Sequence, residues 1–555
     1  PASNYAYLDF HRAIYFKLIK QNKAMKQWVE LDDRLLNLEE AIKWVEEYTG
    51  KKVKPSNIMY LVQYGRLKNY GSRGKPLIRL KELKSYYESK YLKKPEDLRD
   101  GINWHLAFAE YSEAERTKHV HRLHPYKGKF IPQLVEYFLD DHTDEFKKEV
   151  YFQKGDIVLD PFCGSGTTLV QANELGLHAV GVDISEFNAL LSNVKVRKHN
   201  LILIAQKIKD LTTELKKLQK NEPTSAFDKE LQEKLKAFNE KYFPSPDFKR
   251  WIIEGKINED EYGREKEQEF MEIFNQLLAK YGIQIKQTKA ESFLDIWYTQ
   301  SVRKELDLLA EEIKSIKEQD VKEVLYIILS RTARSCRATT HSDLATLKEP
   351  VYTPYYCKKH KKICKPVFTI LKWWEYYSED TLKRLMEFDK LRTETFQLCV
   401  LGDSRTIDLY QEVKKLNPEF AELIKDKKIK GIFTSPPYLG LINYHEQHAY
   451  AYEIFGFERR DHLEIGSMSM GVGEKQKELY VQDIAQVLNN FKKYLQEDYH
   501  VFIVANDKYN LYPKIAELAG MEIVEEFKRP VLCRAEKNRE DLYVESIFHL
   551  KEKRR

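Results

Sequence analysis

Apolar residues along this chain follow two alternating rhythms: short continuous runs closed by glycine or proline, and longer stretches with apolar positions every three to four residues. The first predicts buried strands and the second predicts helices. LNLEEAIKWVEEYTG has helical spacing, with Asn37 as an N-cap and Gly50 as a stop. KPSNIMYLVQYGRLKNY predicts a second helix with a basic end. NYGSRGKPLIRLKELKSYY then predicts a Gly-rich turn, a short strand and a closing helix. Helices are expected within 101–147, around HVHRLHPYKGKFIPQLVEYFL. QKGDIVLDPFCGSGTTLVQANELGLHAVGVDIS reads as strand, turn, helix, strand, which opens a doubly wound α/β sheet. Residues 201–330 are charged and helical in period, and 331–375 are polar and aromatic. The α/β pattern resumes with FQLCVLGDSRTIDL and KIKGIFTSPPYLG. A helix near 479–495, the strand HVFIVAND and a closing hairpin from GMEIVEEF to LYVESIFHL follow. The sheet is thus expected to be split by an insertion, with no internal repeat.

Length and composition narrow the class. At 555 residues the chain calls for two or three units, and 42% hydrophobic residues support packed cores. No apolar run reaches the ~18 residues of a membrane span. The N-terminal PASNYAYLDFHRAIYF lacks the layout of a secretory signal. Six cysteines in this length do not make a disulfide scaffold. The expectation is a cytoplasmic, nucleoid-associated prokaryotic protein with no membrane contact. Net charge is only +6, but residues 1–90 hold 18 Lys/Arg against 10 Asp/Glu. That N-terminal excess would attract a phosphate backbone, although a solvated basic surface explains it equally well.

Two constellations carry chemistry. In Asp160-Pro161-Phe162-Cys163-Gly164-Ser165-Gly166-Thr167-Thr168 a buried strand passes through a Gly-x-Gly turn into a helix. Gly164 and Gly166 let a ligand approach the backbone. No third glycine and no Lys-Ser/Thr phosphate clamp follow, so a small ligand with an amino-acid tail fits better than a nucleoside triphosphate. Asp183, at the end of the next strand, is placed to accept both hydroxyls of a ribose. The second constellation is Thr434-Ser435-Pro436-Pro437-Tyr438 after the strand IKGIF. The prolines fix a rigid turn and offer no N–H. An exocyclic amino group donates two protons and needs acceptors, which the Ser435 hydroxyl and the Pro436 carbonyl supply. Tyr438 offers a face on which an extruded base can stack.

DPFCGSGTT and TSPPY together resemble the cofactor and catalytic motifs of the DNA amino-methyltransferases of the class I fold. The resemblance covers about 124–200 and 396–555. It implies S-adenosyl-L-methionine as cofactor, held by Asp160, Phe162, Gly164, Gly166, Thr167, Thr168 and Asp183. HPYKGKF, with Lys129 and Phe130, matches the segment that closes over the methionine end, and Asp403 in GDSRTI matches the contact to the adenine. Catalysis falls to Ser435, Pro436, Pro437 and Tyr438. Ser before Pro-Pro-Tyr is typical of cytosine-N4 enzymes, whereas Asp or Asn is common in adenine-N6 enzymes, so TSPPY favours cytosine N4. Carbon-5 methylation needs an attacking cysteine. Cys163 sits in the cofactor loop, where a packing role is expected. Direct in-line attack by the amino nitrogen follows, on a base flipped out of double-stranded DNA.

Residues 35–90 resemble the winged helix-turn-helix of excisionase-like DNA-binding modules. Their second helix would put Ser56, Asn57 and Tyr60 near bases, with Arg73 or Lys75 in the wing. The expected organisation is therefore a winged helix-turn-helix (1–92), a Rossmann-like class I core in two parts (93–200 and 396–555), and an inserted target-recognition region (201–395). The insertion carries Arg331, Arg334, Arg337, Lys358, Lys359, Lys361 and Lys362 interleaved with Tyr355, Tyr356, Trp373 and Trp374, a mixture suited to phosphate contact and groove insertion. A packed helical insertion is the alternative. Cys336, Cys357, His360 and Cys364 could ligate zinc, yet ordinary reduced cysteines explain them as well, and no metal is assigned. Around the catalytic turn, Asn443, Tyr444 and His445 could line the base pocket or simply start a helix. Either a separate restriction endonuclease is a partner or the role is an epigenetic, regulatory one. Three rivals stand beside the cytosine-N4 reading: an adenine-N6 DNA enzyme, an RNA guanine-N2 methyltransferase, and a DNA-binding regulator without catalysis.

Overall fold

The computed structural model describes residues 34–49, 53–63, 66–72, 75–91, 101–344, 347–531 and 543–553. Gly50 and Arg73, and the side chain of Tyr60, lie outside the described residues. Near the N-terminus β1 (Leu35–Leu36) pairs antiparallel with β2 (Ile78–Arg79). Between them run the helices Leu38–Thr49 and Pro55–Gln63, and Leu80–Tyr91 follows. Asn37 caps the first helix, its Oδ1 accepting from the Glu40 amide at 3.0 Å while Glu40 Oε2 accepts from the Asn37 amide at 2.9 Å. This unit has its own small core of Leu36, Val45, Ile58, Leu67, Ile78 and Leu83.

The main sheet has seven strands. β3 (Ile157–Asp160) and β4 (His178–Asp183) flank the Gly-rich turn and the helix Thr167–Leu175. β5 (Tyr355–Cys357) and β6 (Lys362–Cys364) form a separate two-stranded hairpin within the insertion. β7 (Gln397–Leu401), β8 (Ile429–Thr434), β9 (Leu495–Ala505), β10 (Met521–Pro530) and β11 (Val544–Glu552) complete the sheet in the order β10-β11-β9-β8-β3-β4-β7. The five strands from β7 to β9 run parallel, and β11 lies antiparallel between β9 and β10. This is the expected α/β class I methyltransferase sheet, with its closing hairpin. The order reverses at β3, and both signature turns leave the carboxyl ends of neighbouring strands, β3 and β8. A ligand crevice forms at such a switch point.

The insertion enters between the helix Glu186–Val196 and β7, and it packs in two ways. The helices Leu201–Lys220, Gln300–Lys314, Gln319–Ser335 and Leu371–Asp389 join the core on one face of the sheet. Leu211, Leu306, Ile327 and Trp374 share that cluster with Val158, Leu191 and Phe502. The helices Pro223–Tyr242 and Glu259–Tyr281, with Ile363 and Phe368, enclose a second core of phenylalanines. Part of the insertion is therefore built into the body of the main sheet. Consistent with this, Arg331, Arg337, Tyr355 and Trp374, expected at a DNA-facing surface, are interior. Arg331 pairs with Asp380 at 2.5 Å, Arg337 donates to the Arg334 and Leu344 carbonyls, and Trp374 Nε1 donates to Thr212. Arg331 and Trp374 lie on the packed faces of the helices Gln319–Ser335 and Leu371–Asp389. Lys358, Lys359 and Lys362 stay exposed, Lys358 paired with Asp260 at 2.6 Å. Among the described residues no helix is long and apolar enough to cross a membrane.

Candidate active site

A cavity of about 830 Å³ opens at the switch point, walled by the Gly-rich turn on one side and the TSPPY turn on the other. Lys129, Phe130, Phe162, Gly164, Thr167, Asp183, Asp403, Ser435 and Pro437 line it. Asp160, Gly166, Thr168, Pro436 and Tyr438 are next to these residues in the two turns but outside that lining, and the contacts of Asp160, Gly166, Thr168 and Tyr438 explain how the wall keeps its shape.

Asp160 ends β3 fully buried. Its Oδ1 accepts from the Thr434 hydroxyl at 2.6 Å, its Oδ2 from the Thr168 hydroxyl at 2.7 Å, and the Phe162 amide donates at 3.2 Å. Burial pushes its carboxyl up to about 6, against the pull of those donors. One carboxylate thus ties the Gly-rich turn to the strand carrying the TSPPY turn. Gly166 adopts φ +72°, and a Cβ there would meet Ser192 Oγ at 2.8 Å. The helix Glu186–Val196 holds the turn from behind: Ser192 Oγ donates to the Gly164 carbonyl at 3.1 Å and the buried Lys195 Nζ to the Ser165 carbonyl at 2.5 Å. Burial drives the Lys195 ammonium well below its usual range. Cys163 packs where a Cβ on Gly181 would stand 2.5 Å from its sulfur, a filling role.

Asp183 faces the cavity from the end of β4. Its Oδ2 accepts from the Gly164 amide at 2.8 Å, and its Oδ1 from the Ser185 amide at 2.8 Å and Asn188 Nδ2 at 3.1 Å. A carboxylate has about four acceptor positions, so these bonds leave one open, on Oδ2. Burial raises its carboxyl to about 6. Asp403 follows β7, and Arg405 clamps its carboxylate, with Nη2 to Oδ2 at 2.7 Å and Nε to Oδ1 at 3.0 Å. Ser404 donates to the Pro161 carbonyl at 2.6 Å, fastening this loop to the cofactor turn. Lys129 Nζ donates to the His121 carbonyl at 2.5 Å, and burial lowers its ammonium to about 8. The Phe130 ring meets Phe433 of β8 edge-on at 5.5 Å.

In the TSPPY turn, the Pro437 carbonyl accepts from Tyr480 at 2.9 Å and the Tyr438 hydroxyl donates to Glu545 of β11 at 3.0 Å. Glu545 is held in turn by Arg529 at 2.7 Å, so the antiparallel hairpin fixes the tyrosine. Tyr444 and His445 also line the cavity. Asn443 instead accepts from the Ser469 amide at 3.0 Å, at the start of the helix Tyr444–Gln447.

Sequence reasoning missed Tyr126, Ser165, Asn188 and Glu464 in the cavity wall. Tyr126 lies inside HPYKGKF, whose resemblance pointed to the segment without singling out this ring. A Cβ on Gly164 would stand 3.0 Å from its hydroxyl, so Tyr126 closes over the turn. Two buried polar atoms of the lining, Ser165 Oγ and Asn188 Oδ1, have no hydrogen-bond partner. Such atoms call for a polar occupant. With one open carboxylate position, glycines that bare the backbone, and aromatic rings on the walls, the cavity fits a nucleoside carrying an amino-acid tail.

Sheet order, crevice and donor set define a Rossmann-like methyltransferase that takes S-adenosyl-L-methionine. A family model described as DNA methylase matches residues 13–195. Over 534 residues the chain is 46% identical to Type II methyltransferase M.MjaII of Methanocaldococcus jannaschii, covering 94% of this chain and 98% of that protein. Type II methyltransferase M.MvaI of Kocuria varians is 32% identical over 116 residues, 21% of this chain and 24% of its own. A probable tRNA (guanine(10)-N2)-dimethyltransferase of Methanothermococcus thermolithotrophicus is 44% identical over 45 residues, 8% of this chain and 28% of that one. The chain belongs to the N6/N4 family of DNA methyltransferases, enzymes that methylate exocyclic amino groups of DNA with S-adenosyl-L-methionine as donor.

Proposed function

We propose that the amino group methylated is N4 of cytosine in duplex DNA, and that the chain serves as a Type II modification enzyme. The observation that carries this reading is Ser435, which opens onto the cavity at the position before Pro-Pro-Tyr. S-adenosyl-L-methionine supplies an electrophilic methyl group on sulfur. The protein's task is to present the amino nitrogen to it in line. The Ser435 hydroxyl and Pro436 carbonyl accept hydrogen bonds from the two amino N–H groups, help the nitrogen rehybridise, and stabilise the positive charge that develops on it until one amino proton is lost to water. Tyr438, braced by Glu545, supports the extruded ring. On the cofactor side, Asp183 accepts one ribose hydroxyl at its open Oδ2 position. Ser165 and Asn188 offer the unpartnered polar atoms, and Lys129 and Phe130 close over the tail.

DNA is held by further surfaces in this reading. Residues 1–92 act as the winged helix-turn-helix, with the exposed Ser56 and Asn57 toward bases and the exposed Lys75 toward phosphate. The Type II names of the similar proteins support a cognate restriction endonuclease as a separate partner. The double variant Ser435→Ala, Tyr438→Ala tests the catalytic assignment. We expect it to fold, bind cofactor and lose at least ~100-fold in methylation rate, as removal of a preorganised site group does. Normal methylation by that variant would overturn the assignment.

A further inference from the structure

The insertion's cysteine and histidine residues take no part in the cavity. Cys336 is sealed in the main core at the C-terminal end of the helix Gln319–Ser335. His341, a few residues further on, instead approaches the hairpin β5–β6. Donor atoms of His341, Cys357, His360 and Cys364 all lie within 4.8 Å of one another. His360 Nδ1 is 3.5 Å from Cys364 Sγ, and His341 Nδ1 is 3.8 Å from Cys357 Sγ. In a tetrahedral site with zinc–sulfur bonds of about 2.3 Å and zinc–nitrogen bonds of about 2.0 Å, neighbouring donors sit about 3.3–3.8 Å apart. The two contacts already match that spacing.

We propose that His341, Cys357, His360 and Cys364 form a structural zinc site that staples the segment after the helix Gln319–Ser335 to the β5–β6 hairpin.

Donor chemistry supports zinc, since two thiolates with two imidazoles in a closed tetrahedron suit it. The hairpin needs such a staple. Its strands are three residues long; Tyr356 and Ile363 pack into the phenylalanine core, and the remaining apolar cluster is Tyr355, Cys357 and Cys364 with Val351. A hairpin this short is marginal without added support. The Tyr355 hydroxyl accepts from the His341 amide at 3.0 Å, which holds the His341 backbone beside the hairpin. Outside the site, Lys361 pairs with Glu259 at 2.6 Å and the Ile363 amide donates to Asn239 at 3.0 Å. The hairpin is thereby fixed to the helices of the phenylalanine core. Zinc would therefore join that outer unit to the chain leaving the catalytic body.

Metal analysis of the full-length protein, purified under reducing conditions without a metal-affinity step, tests this. We expect about one zinc per chain in the wild type and in Cys336→Ser, and less than a tenth of that in Cys357→Ser with Cys364→Ser. Cobalt(II) exchanged into the wild type should give the intense visible absorption of a tetrahedral site with thiolate ligands. That spectrum does not depend on how the double variant folds. Wild-type protein without stoichiometric metal, with Cys357 and Cys364 as free thiols or as a disulfide, would overturn the proposal. So would zinc lost in Cys336→Ser, or a cobalt spectrum of octahedral intensity.

Discussion

Replacing Thr434 by valine removes one hydroxyl at nearly constant volume, and the structure says what that hydroxyl does. It donates at 2.6 Å to Asp160, which is 2% exposed. A hydrogen bond to a buried charged group contributes about 1.5–3 kcal/mol, and one to a neutral group about 0.5–1.5 kcal/mol. Asp160 titrates in the folded protein at about 6, above its ordinary value of 3.8. The folded state thus holds the extra proton between about pH 4 and 6, and this group's contribution to stability falls as pH rises through that window. At pH 8 the carboxylate is charged, and Thr434→Val should cost about 2 kcal/mol. At pH 5 the carboxyl is mostly protonated, and the same change should cost about 1 kcal/mol. Thr434→Ser keeps the donor and should show no such pH dependence. Equilibrium urea unfolding of the three proteins at both pH values measures the difference, with cofactor affinity by calorimetry as a second readout. A loss equal at the two pH values, or larger at pH 5, would refute the role given to Asp160 as a charged tie between the two turns.

Two further outcomes follow from the cavity and the N-terminal unit. Asp183 must be ionised to accept a hydroxyl and titrates at about 6, so cofactor affinity should weaken below that pH, by about tenfold at pH 5 relative to pH 8. Asp183→Asn should bind more weakly at pH 8 and lose this dependence, and an unchanged profile would contradict the assignment. Lys75→Ala should weaken DNA binding alike across sequences and reduce the slope of log affinity against log salt by about one, with cofactor affinity unaffected. An unchanged slope would remove Lys75 from the DNA interface.

The sheet was legible because its central strands β3, β4 and β8 are buried apolar runs, each ending in a turn of unusual composition. The nine predicted residues that line the cavity lie in those turns or in HPYKGKF and GDSRTI. What escaped the sequence depends on contacts across long stretches of chain. Nothing in IKGIFT shows that the Thr434 hydroxyl reaches Asp160, and nothing in SNVKV shows that Lys195 supports the cofactor turn. Arg331 and Trp374 looked like surface groups because charge and aromaticity do not reveal which face of a helix is packed. Asp380 and Thr212, which satisfy them, come from other helices. Cys336 is near the hairpin cysteines in sequence, yet it packs in the main core, whereas His341 comes beside Cys357, His360 and Cys364.

The central claim is methyl transfer to the amino nitrogen of cytosine at the TSPPY turn. Its most direct test is to incubate the purified protein with duplex DNA and S-adenosyl-L-methionine carrying a deuterated methyl group, then digest the DNA and identify labelled nucleosides by mass spectrometry against synthetic standards. The account predicts label in N4-methylcytidine's deoxynucleoside, absent when Ser435 and Tyr438 are both alanine. Label only in N6-methyladenine or at cytosine carbon 5 would contradict it.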